Sequence, residues 1–171
     1  IIICRLLNLP DPRTEGSKNP GATNVLRIAN KKTAAMVFLF DALKGFIPVL
    51  ISGYVSIQPP WVAVIGLAAL IGHMYPIYFR FQGGKGVATF FGVMIALTPI
   101  LALIAALTWF GIAKFFRYSS LAAMIAMVIT PIFAYFLTPE NAVMIVFICL
   151  LIIWRHRSNL MRLIQGREGK F

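Results

Sequence analysis

Apolar residues in this chain come in long, nearly unbroken runs, which three polar blocks at residues 11–32, 80–89 and 155–170 divide. Residues 34–52 form one run and 61–78 another, joined by an uncharged turn at 56–60. Each can cross a bilayer as a helix, which takes about 20 residues. The run from 87 to 154 is punctuated at Thr98-Pro99, at 114–120 and at Thr138-Pro139-Glu140. These breaks predict four more helices of about 15 to 19 residues, about 22 to 28 Å each, short spans that a thin or adapted bilayer accommodates. Residues 1–9, closed by Pro10, read as the end of an earlier span. The expected fold is therefore an all-α polytopic membrane protein, a bundle of about seven short transmembrane helices with the first one truncated. Residues 1–171 are expected to form a single domain.

Topology follows from charge. An even number of spans between the second and third blocks places all three blocks on the same side of the bilayer. Arg13, Lys18, Arg27, Lys31, Lys32, Arg80, Lys85, Lys114, Arg117 and the C-terminal Arg155, Arg157, Arg162, Arg167 and Lys170 then fall on one face. Cytoplasmic loops collect such residues, so the polar blocks are expected in the cytoplasm.

Composition supports the membrane reading: 60% of residues are hydrophobic and 12% charged, and the mean hydropathy is +0.85. That is more apolar material than one soluble core of this size can hide. The 16 Lys and Arg against 5 Asp and Glu suit anionic lipid or an anionic substrate; nucleic acid is not an expected partner, because no soluble domain carries a basic face. Cys4 and Cys149 lie in apolar runs, with neither a disulfide framework nor metal-ligand spacing, and no metal or cofactor is expected.

The polar blocks hold the candidate chemistry. In GSKNPGATNVLR, residues 16–27, a tight Gly- and Pro-containing turn can aim backbone N–H groups at an anion. Ser17, Asn19, Thr23 and Asn24 add neutral donors, and Arg27 a planar fork suited to phosphate. A polar surface loop with a basic flank explains the same string. In the second block Gly83, Gly84 and Gly86 surround Lys85, and Thr89 lies in the first turn of the following helix, whose N-terminus attracts negative charge. Lys85 is followed by Gly86, so this is not a nucleotide-binding P-loop. A flexible loop before a span is the plain alternative. In the third block His156 and Asn159 share a face if the helix persists, while Arg155, Arg157 and Arg162 read as topology anchors. His73 reads as an interfacial packing residue. Asp41 and Lys44, at i and i+3 inside a span, can neutralise each other and are left outside the core site.

Together and in this order the blocks resemble those of the bacterial acyl-phosphate:glycerol-3-phosphate acyltransferases. The family patterns GSxNPGATNVxR, GHxxPxxxxFxGGKGVAT and RHxxNxxRLxxGxE are met at residues 16–27, 72–89 and 155–168. The resemblance implies an enzyme that transfers a fatty acyl group from acyl phosphate to glycerol-3-phosphate, giving 1-acyl-glycerol-3-phosphate and phosphate. This is the first acylation of phospholipid synthesis, with a functional link to the enzyme that makes acyl phosphate. It also implies that Ser17, Arg27, His156 and Asn159 are catalytic, that Asn19, Asn24, Gly83, Gly84, Lys85, Gly86 and Thr89 bind substrate, and that Glu168 supports local structure. In that scheme His156 orients the hydroxyl more than it deprotonates it. A transporter for phosphorylated anions is the rival reading, but its site belongs near the midplane, where Asp41 and Lys44 are the charged pair available. A lipid-binding scaffold gives no reason for two glycine-rich loops.

Overall fold

The computed structural model describes residues 1–170, and these contain helices and turns without strands. The helices are α1 (Ile2–Leu6), α2 (Ala22–Ile28), α3 (Lys31–Tyr54), α4 (Trp61–Met74), α5 (Val87–Leu97), α6 (Pro99–Phe116), α7 (Ser119–Leu137), α8 (Pro139–Arg155) and α9 (Arg157–Ile164). Local chemistry sets the ends. The Asn30 side chain caps α3 by accepting the N–H of Thr33 at 2.9 Å. Pro99 and Pro139 open α6 and α8, where the missing N–H costs nothing.

Four helices are long and apolar enough to cross a bilayer, five if α8 and α9, bent by 54° at His156, count as one. The span expected at 61–78 is met by Trp61–Phe79 with a break inside it, whereas the span expected after residue 87 falls short. Helix α4 stops at Met74 because Pro76 holds Tyr75 out of the helical region, and a short 3₁₀ turn, Ile77–Phe79, follows. Helix α5 has 11 residues, about 16 Å, against 18 and about 27 Å for α6. The start of α5 and the end of α6 both return to the polar blocks, so the two form a hairpin with one arm too short to span.

Large apolar side chains such as Leu107, Ile132, Phe136, Val143 and Leu150 are exposed on the outside, while Ala63, Ala105, Ala122, Ala126 and Ala134 are buried between helices. Small residues inside and large apolar ones outside is how membrane bundles pack, since lipid gives no reason to hide a leucine. This is an integral membrane protein. The tightest crossing joins α3 to α5. A β-carbon on Gly45 would lie 2.3 Å from the Thr89 carbonyl oxygen, and one on Gly92 would lie 1.9 Å from that of Ala42. The hydroxyl of Thr89 donates to the Asp41 carbonyl at 2.9 Å across the same seam. Backbone thus meets backbone, and the glycine loop that begins α5 is fixed in place.

Candidate active site

The second block folds against the end of α4. The N–H of Gly83 donates to the Met74 carbonyl at 3.2 Å. A β-carbon on Gly83 or Gly84 would meet the His73 carbonyl oxygen at 2.1 Å or the His73 Nε2 at 2.3 Å, respectively. Packing on His73 therefore by itself requires glycine at both positions. Gly86 caps α5 with φ +89°, a left-handed conformation that L side chains rarely take. On both sides of it, the backbone N–H groups of residues 84 to 89 have no acceptor among the described residues, an arrangement that suits an anion at a helix start.

Lys85 reaches from this loop to the third block, where its Nζ donates to Oδ1 of Asn159. Asn159 Nδ2 in turn donates to Glu168 at 2.6 Å. The same carboxylate accepts Ser120 Oγ at 2.6 Å and Arg162 Nε at 2.8 Å. Burial would raise the Glu168 pKa, but hydrogen bonds from Ser120, Asn159 and Arg162 hold it below the usual carboxylate value. Burial, with the cations Arg162, Arg155 and Arg27 nearby, lowers Lys85 to about 8, partly offset by Glu168.

The helix does not persist through the third block: it bends at His156, which ends α8 and starts α9. Both His156 and Asn159 still face one cavity, because the Asn159 N–H donates to the His156 carbonyl at 2.9 Å across the bend. Burial lowers the His156 pKa to about 4, so the ring is neutral near pH 7. Its Nδ1 lies 2.8 Å from the Ile152 carbonyl. A carbonyl only accepts, so Nδ1 carries the hydrogen and Nε2 keeps a lone pair.

The first block is shaped largely from within, and Thr23 ties it to Ser119 of α7, hydroxyl to hydroxyl, at 3.2 Å. Asn24, 1% exposed, donates to the carbonyls of Pro12 at 2.9 Å and Glu15 at 3.0 Å, and accepts the Ser17 N–H at 2.8 Å. Its side chain is committed to shaping the loop. Ser17 and Asn19 line the cavity with Arg27, whose guanidinium donates to the Gly169 carbonyl at 2.9 Å. Thr89 is fully buried with its hydroxyl on Asp41, away from the cavity.

These parts enclose a cavity of about 830 Å³. One end is polar, with Ser17, Arg27, Lys85, His156, Asn159 and Glu168; the other runs along Phe38, Phe91, Ile95, Leu103 and Phe110. A second cavity of about 490 Å³ shares Ser17, Asn19 and Lys85 with it and adds the cations Arg13, Lys18, Arg155, Arg157 and Arg162. Sequence reasoning missed Ser119 and Ser120, which close the polar end from the α6–α7 turn. It also set aside Asp41 and His73, which line the cavity with Asp41 Oδ1 3.6 Å from His73 Nδ1 and 2.5 Å from Lys44 Nζ. Only the i and i+3 spacing of Asp41 and Lys44 hinted at the cluster. Arg155, read as an anchor, instead donates to the Gly83 and Gly84 carbonyls at 3.2 and 3.1 Å. Arg157, also read as an anchor, lies 4.2 Å from the centre of the Trp154 ring and borders the second cavity.

The family described as glycerol-3-phosphate acyltransferase matches residues 1–166. Glycerol-3-phosphate acyltransferase of Methylococcus capsulatus is 47% identical over 99% of this chain and 87% of its own length. That of Vibrio campbellii is 48% identical over 99% and 84%. Among solved structures, PlsY, an integral membrane glycerol 3-phosphate acyltransferase, superposes in its glycerol 3-phosphate form with a TM-score of 0.94, 45% identity, and coverage of 99% of this chain and 86% of that one. Its lysophosphatidic acid form gives 0.86 and 46%, with coverage of 91% and 81%. With its polar blocks joined around one cavity and its relatives matched along nearly all of its length, this chain is an acyltransferase enzyme that belongs to the glycerol-3-phosphate acyltransferase family.

Proposed function

We propose that the acyl donor is acyl phosphate and that the reaction takes place at the cytoplasmic face of a bacterial inner membrane. The observation that carries this reading is the single cavity whose cationic end continues into an apolar trough. An acyl phosphate has that shape and polarity, with its carbonyl at the junction. Glycerol-3-phosphate, charged and water-soluble, arrives through the smaller cation-lined cavity.

The donor is a mixed anhydride and already activated, so the enzyme's work is to hold two phosphate groups together and align the reactants. The loop at Gly83, Gly84, Lys85 and Gly86 receives the donor phosphate on its N–H groups and on Lys85. Ser17, Asn19 and Arg27 grip the acceptor phosphate. The acceptor hydroxyl adds to the carbonyl carbon, the bond from that carbon to the phosphate oxygen breaks with its electron pair staying on phosphate, and the hydroxyl proton ends on the departing phosphate. His156 accepts the hydroxyl hydrogen bond at Nε2 and so orients it. Asn159 positions Lys85, and Asn24 and Thr89 shape the loops that carry the others.

Purified protein supplied with palmitoyl phosphate and glycerol-3-phosphate is expected to release phosphate only when both are present. Release without glycerol-3-phosphate, or acylation from acyl-coenzyme A with none from palmitoyl phosphate, refutes the assignment.

A further inference from the structure

We propose that Arg155 is a positioning residue that sets which way the anion-binding face of the glycine loop points. Its Nη2 donates to two successive carbonyls, Gly83 at 3.2 Å and Gly84 at 3.1 Å, from more than 70 residues away in the chain. Each carbonyl belongs to a trans peptide unit, since the one cis bond among the described residues is Pro59-Pro60. In a trans unit the N–H points opposite to the C=O. Drawing the carbonyls of Gly83 and Gly84 toward Arg155 therefore turns the N–H groups of Gly84 and Lys85 the other way.

Those are the first two of the consecutive N–H groups without an acceptor that continue into the start of α5. A loop of glycines has the freedom to flip its peptides, so something has to choose the orientation. Packing on His73 fixes where the loop lies, but a peptide can rotate without moving its α-carbons. The guanidinium is itself held, with its carbon 5.0 Å from the centre of the Tyr75 ring. Its Nε is buried with no hydrogen-bond partner among the described residues. A lysine supplies the charge here without the planar fork or the ring stacking.

This inference rests on the reading that the loop seats the donor phosphate, and one set of measurements separates the two. The full chain is assayed with palmitoyl phosphate and glycerol-3-phosphate varied in turn, and with inorganic phosphate as inhibitor. In the wild type, inorganic phosphate should compete with palmitoyl phosphate; absence of competition removes the donor seat and the inference with it. Given competition, Arg155→Ala should raise the KM for palmitoyl phosphate and the inhibition constant of phosphate by on the order of 10- to 100-fold, the range for a lost charge-assisted hydrogen-bond pair. Arg155 also borders the second cavity, so the KM for glycerol-3-phosphate should rise as well, by clearly less than the donor constants. Millimolar guanidinium should restore part of the loss and ammonium should not. The exposed Lys114→Ala serves as a charge control with both constants unchanged. If Arg155→Ala does not fold, Arg155→Lys, which keeps the cation, should show the same selective loss. Donor constants unchanged in a folded Arg155 variant, or equal rises for both substrates, overturn the proposal.

Discussion

On one side of the polar end of the cavity, side chains are joined across long stretches of sequence: Lys85 to Asn159, and Asn159, Ser120 and Arg162 to Glu168. On the other side, the first block is shaped from within by Asn24 and reaches its neighbours through two bonds, Thr23 to Ser119 and, at the exposed edge, Arg27 to Gly169. The difference separates two tasks. The interlocked side is a preorganised field whose groups need not move when charge develops, which is where electrostatic catalysis is most effective. The first-block side, joined to the rest by fewer bonds, can admit and release a soluble substrate with less disturbance of that field.

The largest effect that sharpens this contrast is at Lys85. Lys85→Met should lower kcat/KM by on the order of 1000-fold, the upper end for removing one preorganised donor. Because burial and nearby cations lower Lys85 to about 8, its charge is present below that pH and lost above it. The wild-type kcat/KM should therefore decline above about pH 8, and Lys85→Arg should remove that limb. An alkaline limb that survives in Lys85→Arg assigns it to another group. By contrast His156, lowered to about 4, is neutral across this range. An acid limb near pH 6 should thus remain in His156→Asn, as it belongs to substrate phosphate.

Asn24→Ala comes next. Three hydrogen bonds, one buried and two part-buried, lose their partner, with an expected loss of about 2 to 4 kcal/mol read by thermal unfolding in detergent. A loss below about 0.5 kcal/mol would mean that the loop is not held locally. The smallest effect is expected at the exposed edge. Arg27→Ala should raise the KM for glycerol-3-phosphate by about 10-fold with a lesser change in kcat, whereas the exposed Lys32→Ala stays within about 2-fold. Equal effects would dissolve the distinction between a gripping residue and a basic flank.

Much of this was legible from the chain. Thr98-Pro99 and Thr138-Pro139 mark helix starts because the restrictions of proline are local, and α6 and α8 begin there. The length of α5 was not, since it depends on Gly86 adopting a positive φ inside a continuous apolar and glycine-rich run. The candidate residues separated in the same way. Ser17, Arg27, Lys85, His156 and Asn159 meet around one cavity, while Asn24 and Thr89 spend their polar atoms on the scaffold. Residue type marks both groups as polar and cannot say which direction a side chain takes. Arg155 and Ser120 were illegible as site residues because their partners, Gly83, Gly84 and Glu168, are distant in sequence.

The close approach of α3 and α5, at Gly45 against Thr89 and at Gly92 against Ala42, places a vulnerability where a search for functional residues would not look. Gly92 lies six positions beyond Gly86, about 9 Å along the axis of α5, and it touches α3 rather than the cavity. An added methyl at either glycine levers the whole short helix outward and carries Lys85 with it. A random-mutagenesis screen scored on growth would then recover alanine replacements in mid-bilayer that mimic loss of the lysine itself. In this enzyme the spacing between two membrane helices is as much a determinant of turnover as any group that meets a phosphate.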